Sequence, residues 1–97
     1  MPAHILFSVK NTMIDSEHVR DTIRQSVNRI TGIAPGEIRD SSNYRDDLGL
    51  DSLSALEVMV DIEYAFKIKV PEERLQTIAT VQDTIQLVQE YLGAVNA

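Results

Sequence analysis

Apolar residues recur at the spacing of a helix in three separate stretches, and almost nowhere at the spacing of a strand. From Glu17 onward Val19, Ile23, Val27 and Ile30 fall at steps of four, four and three, which lays them along one side of a helix. Gly32 follows as a stop signal, and Pro35-Gly36 keeps the chain out of helix beyond it. From Ser52 to Phe66, Leu53, Leu56, Val60 and Glu63 share one flank, with Val58, Met59, Ile62 and Phe66 widening the apolar surface. Pro71-Glu72-Glu73 suits the first turn of a short helix ending near Leu75, because proline loses no needed donor there and carboxylates favour the positive end of the dipole. Thr80 and Asp83 approximate a capping box ahead of Val81, Ile85, Val88 and Leu92, a pattern that runs to Gly93. Only Ile5 to Val9 hints at alternation. The predicted fold is therefore all-α, a small four-helix bundle of three long helices and one short one.

The first and second long helices are separated by a connection running to about Asp51, too long to be structureless in a compact domain. Ile33, Ile38, Tyr44, Leu48 and Leu50 are spaced along it as apolar anchors, so an ordered loop is expected across one end of the bundle. The 97 residues suffice for one small core and leave little room for a buried catalytic cleft. There is no cysteine, which excludes disulfides, thiolate metal sites and an intrinsic cysteine nucleophile. Any thiol chemistry has to come from an added group. The opening residues hold an apolar run too short for a signal sequence or a membrane span, and a cytoplasmic chain without membrane insertion is expected. The net charge of -6 argues against nucleic acid and for a basic protein partner.

That charge is uneven. Residues 1–45 carry six Lys/Arg and five Asp/Glu, whereas residues 46–97 carry three and ten. Between Asp46 and Glu63 stand six acids, Asp46, Asp47, Asp51, Glu57, Asp61 and Glu63, with no Lys or Arg among them. A run of charges is ordinarily a solvated helix face, a reading that the missing i to i+4 cations make less comfortable here and that stays open beside a docking face. An EF-hand fails in this stretch, because Leu48 and Leu50 occupy positions that need oxygen ligands and the turn glycine is absent at Asp51. No metal site is expected. A serine hydrolase also fits poorly: no Gly-x-Ser-x-Gly elbow exists, and His4 and His18 read as surface residues.

Ser52 opens the second helix amid these carboxylates. From the helix boundary alone it serves equally as an N-cap, since either Asp51 or Ser52 can accept from a first-turn amide. Its surroundings carry more. Leu48-Gly49-Leu50-Asp51-Ser52-Leu53, then Glu57, Ile62-Glu63 and Phe66, then Val70-Pro71 and Thr80-Val81, closely resemble the acyl carrier protein family in order, from about Ile14 to Leu92. The resemblance implies that Ser52, flanked by Asp51 and Leu53, carries a covalent 4'-phosphopantetheine arm delivered from coenzyme A by a phosphopantetheinyl transferase. It implies a carrier rather than an enzyme, one that shuttles acyl thioesters between enzymes of fatty acid, polyketide or specialised lipid biosynthesis.

Further expectations follow from the same resemblance. Asp47, Asp51, Ser54, Glu57, Asp61, Glu63 and Tyr64 become candidates for docking acyl-transferring and acyl-modifying enzymes that bear basic patches. Leu56, Met59, Val60, Ile62 and Phe66 are expected as core first and as the lining of an acyl-chain cavity second. Ser54 and Tyr64 replace acids common in the fatty-acid members, which puts docking specificity in question. Residues 1–14 are expected as an N-terminal extension, 15–93 as the carrier domain and 94–97 as a tail, with the protein a monomer. A different class remains open at the level of sequence: a small acidic helical interaction module that never receives a prosthetic group.

Overall fold

The computed structural model describes residues 16–96, with side chains through 93, and shows three long helices and a short one. The proposed extension over residues 1–14, with His4 and the Ile5–Val9 stretch, lies outside the described residues. Helix α1 spans Ser16–Thr31, α2 Ser52–Phe66, α3 Glu72–Leu75 and α4 Val81–Asn96; a 3-10 turn at Pro35–Glu37 interrupts the long connection.

Each boundary has a local cause. α1 ends where Gly32 takes φ +82° and donates its N–H to the Asn28 carbonyl at 2.8 Å, a conformation costly for a residue with a Cβ. α2 opens on Asp51, whose carboxylate accepts from Ser54 N at 2.8 Å, and closes on Lys67 at φ 55°. Pro71 stands as the N-cap of α3 rather than inside its first turn. The capping box of α4 is complete: Asp83 N donates to Thr80 Oγ1 and Thr80 N to Asp83 Oδ2, both at 3.1 Å. α4 continues through Gly93, where the sequence pattern placed its end. A glycine weakens a helix by only about 1 kcal/mol relative to alanine and stops it only when the next residues favour another path.

α1 packs against both α2 and α4. The main core joins Val19, Ile23 and Val27 of α1, Val58 and Ile62 of α2, and Val81, Ile85 and Val88 of α4. Ile38, Tyr44, Leu48 and Leu50 of the connection are buried in the same cluster, and Ile33 packs against it, so the apolar anchors hold an ordered strap. A smaller cluster of Met59, Val70 and Leu87 extends the core toward α3.

The orientation of α2 departs from the flank read in the sequence. Leu53 is 69% exposed, Leu56 43% and Val60 51%, and all three point outward together with Tyr64 at 86%. At about 100° per residue Ala55, Val58, Met59, Ile62 and Phe66 form one face, while Leu53, Leu56 and Val60 lie roughly opposite. Only the first set meets α1 and α4. Leu56 and Val60 are therefore not core.

Candidate functional site

The strap delivers residues 43–51 to the mouth of α2. Asn43 pairs with Thr80 in an isolated antiparallel bridge: Tyr44 N donates to the Ala79 carbonyl at 2.9 Å and Val81 N to the Ser42 carbonyl at 3.1 Å. Below the bridge the Tyr44 hydroxyl and Thr84 Oγ1 meet at 2.6 Å in the buried interior. Asn43 then organises a tight turn, its Oδ1 accepting from Arg45 N and Asp46 N at 2.9 Å each. Asp47 Oδ2 accepts from Asn43 N at 2.7 Å and closes the turn. Gly49 takes φ +69° before the chain enters Asp51.

Because Asp51 is the cap, Ser52 is the first residue of α2 and its hydroxyl is free of capping duty. That side chain is exposed, and its Oγ receives a hydrogen bond from the Arg45 guanidinium. The backbone amide of Ser54, and then the Ser54 side chain, hold the Asp51 carboxyl below the usual carboxylate range. Leu53 follows on the outer surface.

The docking candidates divide. Asp47 and Asp51 bind backbone amides, Glu63 Oε2 accepts from Val70 N at 2.8 Å, and Asp61 Oδ2 accepts from Ser26 Oγ at 2.6 Å and from the Arg29 guanidinium. The acidic stretch is thus not uncompensated at Asp61, because its counter-cation comes from α1 rather than from its own helix. Ser54 is half-buried against Asp51, while Glu57 and Tyr64 stay exposed on the same face as Leu53, Leu56 and Val60. Together these five side chains make a mixed apolar and acidic strip running away from Ser52.

A cleft of about 580 Å³ opens beside Ser52, between the strap, α2 and α3. Leu56 and Met59 line it, as does Ser52 itself; Val60, Ile62 and Phe66 do not. Ile62 is fully buried in the main core, Val60 faces out, and Phe66 meets the His18 ring edge-on at 5.3 Å. The other walls include Tyr44, Ala55, Glu72, Leu75, Gln76, Ile78 and Ala79, none of which the sequence pattern assigned to a cavity. Their only sequence signal is the apolar spacing of strap and α3, which does not say which elements face each other. Arg45 likewise carries no sequence signal of its own, since it stands just before the acidic stretch. Among the described residues, no group of His, Asp and Glu comes together to hold a metal ion.

A family described as phosphopantetheine attachment site matches residues 21–88, a span that includes the whole strap, α2 and the mouth between them. An acyl carrier protein of Prochlorococcus marinus (strain MIT 9515) is 31% identical over 80 residues, which covers 82% of this chain and the full length of that relative. The chain belongs to the acyl carrier protein family. Such a carrier bears a covalently attached 4'-phosphopantetheine, and neither comparison names a catalytic activity. The residues present suit that group: an exposed primary hydroxyl can form the ester, donors lie beside it, and an apolar-walled cleft adjoins it. No helix among the described residues of the carrier is long and apolar enough to cross a membrane.

Proposed function

We propose that Ser52 is the attachment residue and that the carrier holds acyl intermediates as thioesters, passing them between enzymes of fatty acid, polyketide or specialised lipid biosynthesis in the cytoplasm. One observation carries this reading: capping falls to Asp51, which leaves the Ser52 hydroxyl exposed on the first residue of α2. The arm, once bound, supplies the terminal thiol that the cysteine-free chain lacks. Ser52 anchors it on a rigid helix, and the first-turn dipole of α2 tolerates the added negative charge. Tethering then gives a docked enzyme a high local concentration of the acyl group.

Glu57, with Leu53, Leu56, Val60 and Tyr64 beside it, is the part of the docking surface that keeps its groups free for a partner. Asp47, Asp51, Asp61 and Glu63 contribute field more than direct contact, because their own bonds are made within the chain, and the uncharged Ser54 sits half-buried against Asp51. Acyl-transferring and acyl-modifying enzymes with basic patches fit this surface, by contacts that weaken with salt. Departures at Ser54 and Tyr64 favour a dedicated pathway over general fatty acid synthesis. A monomer suits a surface of one sign.

The experiment is loading. Incubation with coenzyme A and a phosphopantetheinyl transferase of broad specificity should add one phosphopantetheinyl mass, and Ser52→Ala should abolish it while remaining folded. A wild-type chain left bare, or a Ser52→Ala chain still modified, would end the proposal. The same loaded protein, given a long acyl chain, should shift the methyl signals of Leu56, Met59 and Leu75 around the cleft and leave Val60 unmoved.

A further inference from the structure

Among the basic side chains described, Arg45 is the one that reaches the proposed attachment oxygen. It stands seven positions before Ser52, and its guanidinium donates to Ser52 Oγ. Among the described residues no carboxylate forms an ion pair with it, although Asp46, Asp47 and Asp51 are close in sequence. Arg20, Arg29 and Arg74, by contrast, each hold a carboxylate.

The reason lies in the turn. Arg45 N is fixed to Asn43 Oδ1 at 2.9 Å and its carbonyl accepts from Gly49 N at 3.1 Å, so the side chain starts from a well-tied backbone. Asp47 is turned toward Asn43 N and Asp51 toward Ser54 N, and neither carboxylate reaches the guanidinium. What the guanidinium meets instead is a neutral hydroxyl. A charged donor with several N–H groups resting on a single uncharged acceptor is under-used, and its planar fork matches phosphate oxygens better than a hydroxyl.

We propose that Arg45 holds the phosphodiester of the loaded carrier. This rests on Ser52 being the attachment residue. On loading, Ser52 Oγ gives up its proton and bonds to the pantetheine-side phosphorus of coenzyme A as the pyrophosphate P–O bond breaks and adenosine 3',5'-bisphosphate leaves; Oγ thereby becomes a bridging ester oxygen, a poor acceptor, and the non-bridging oxygens beside it carry the negative charge. The guanidinium N–H donors shift onto those oxygens, turning a weak neutral contact into a charge-assisted one. Arg45 also lines the cleft, so this contact holds the base of the arm over the opening between the strap and α3. Arg45 is a positioning residue. As an exposed ion pair, the contact favours the held arrangement roughly two- to fivefold, enough to bias the arm and weak enough for a docking enzyme to break.

The test compares wild type, Arg45→Gln and Arg45→Lys, each loaded with coenzyme A and transferase and checked by intact mass. In 31P spectra at low salt the wild-type resonance should stand away from that of the same phosphodiester in a short phosphopantetheinylated serine peptide and move toward it as salt is added. The R45Q resonance should lie near the peptide position from the start, sharpen, and respond little to salt, with R45K between. The Arg45 Nε–Hε signal of wild type should also shift on loading. Loaded wild type and R45Q with the same phosphorus position and width overturn the role of Arg45 alone; a wild type that gains no arm overturns the attachment reading, and this proposal with it. Should R45Q fail to fold, the wild-type signals decide, and an Arg45 Nε–Hε resonance unmoved by loading overturns the proposal.

Discussion

Two adjacent side chains divide the labour at the mouth of α2, and their separation can be measured. Asp51 caps the helix, so Asp51→Ala should lower the thermal midpoint, whereas Asp51→Asn, a comparable cap, should not at neutral pH. Because the folded carboxyl is held below its ordinary value of 3.8, its contribution is complete above that value and is lost as pH falls through the lowered one. Asp51→Asn should flatten that acid limb in midpoints followed by circular dichroism. The sequence left Asp51 and Ser52 equivalent as caps because both carry a side-chain oxygen in reach of the first turn. Only the extended backbone at Asp51, φ -85° and ψ -178°, separates them. Tyr44 offers the opposite sign. Burial pushes its hydroxyl well above the ordinary value of 10, partly offset by the Thr84 hydrogen bond. The unfolded chain then ionises first, so stability is full below about pH 10 and declines as pH rises beyond it. Tyr44→Phe should cost about 1 kcal/mol at neutral pH through the lost hydrogen bond and should remove most of that alkaline decline, as read by urea unfolding across the range.

At the level of the element, α1 and α4 were legible because each has one apolar stripe against a polar remainder. α2 was not, since apolar residues occupy both of its sides and two stripes satisfy the same spacing: Leu53, Leu56 and Val60, or Ala55, Val58, Met59, Ile62 and Phe66. Periodicity cannot choose between them; tertiary contact with α1 and α4 does. Paired truncations should reproduce the choice in chemical denaturation. Ile62→Ala, at a fully buried position, should destabilise by about 2 to 5 kcal/mol, and Val60→Ala by no more than about 0.5 kcal/mol. Equal losses at both positions would contradict the orientation described. The outward stripe then has a different meaning from the inward one, because apolar area left in water beside Ser52 is area a partner can cover.

Across the whole molecule the strap joins parts far apart in the chain. Asp40 receives Arg20 Nε at 2.6 Å and Nη2 at 2.8 Å, Arg24 Nε donates to the Ile38 carbonyl at 2.9 Å, and Gln82 N donates to the Asp40 carbonyl at 2.8 Å. The Arg20 guanidinium holds the Asp40 carboxyl below its usual range. That the connection would be ordered could be read from its apolar anchors, but these polar partners could not, because nothing in a single sequence pairs Asp40 with a residue twenty positions back and a backbone amide on α4. The same strap and the capped start of α4 form the firm side of the cleft. The opposite wall is α3, a single turn of four residues with none of them buried. Bulk introduced beside Ser52 should therefore displace that turn, held by Arg74 to Glu90 and by Leu75 on the smaller cluster, before it disturbs any long helix, leaving one border of the compartment to yield and the other to resist.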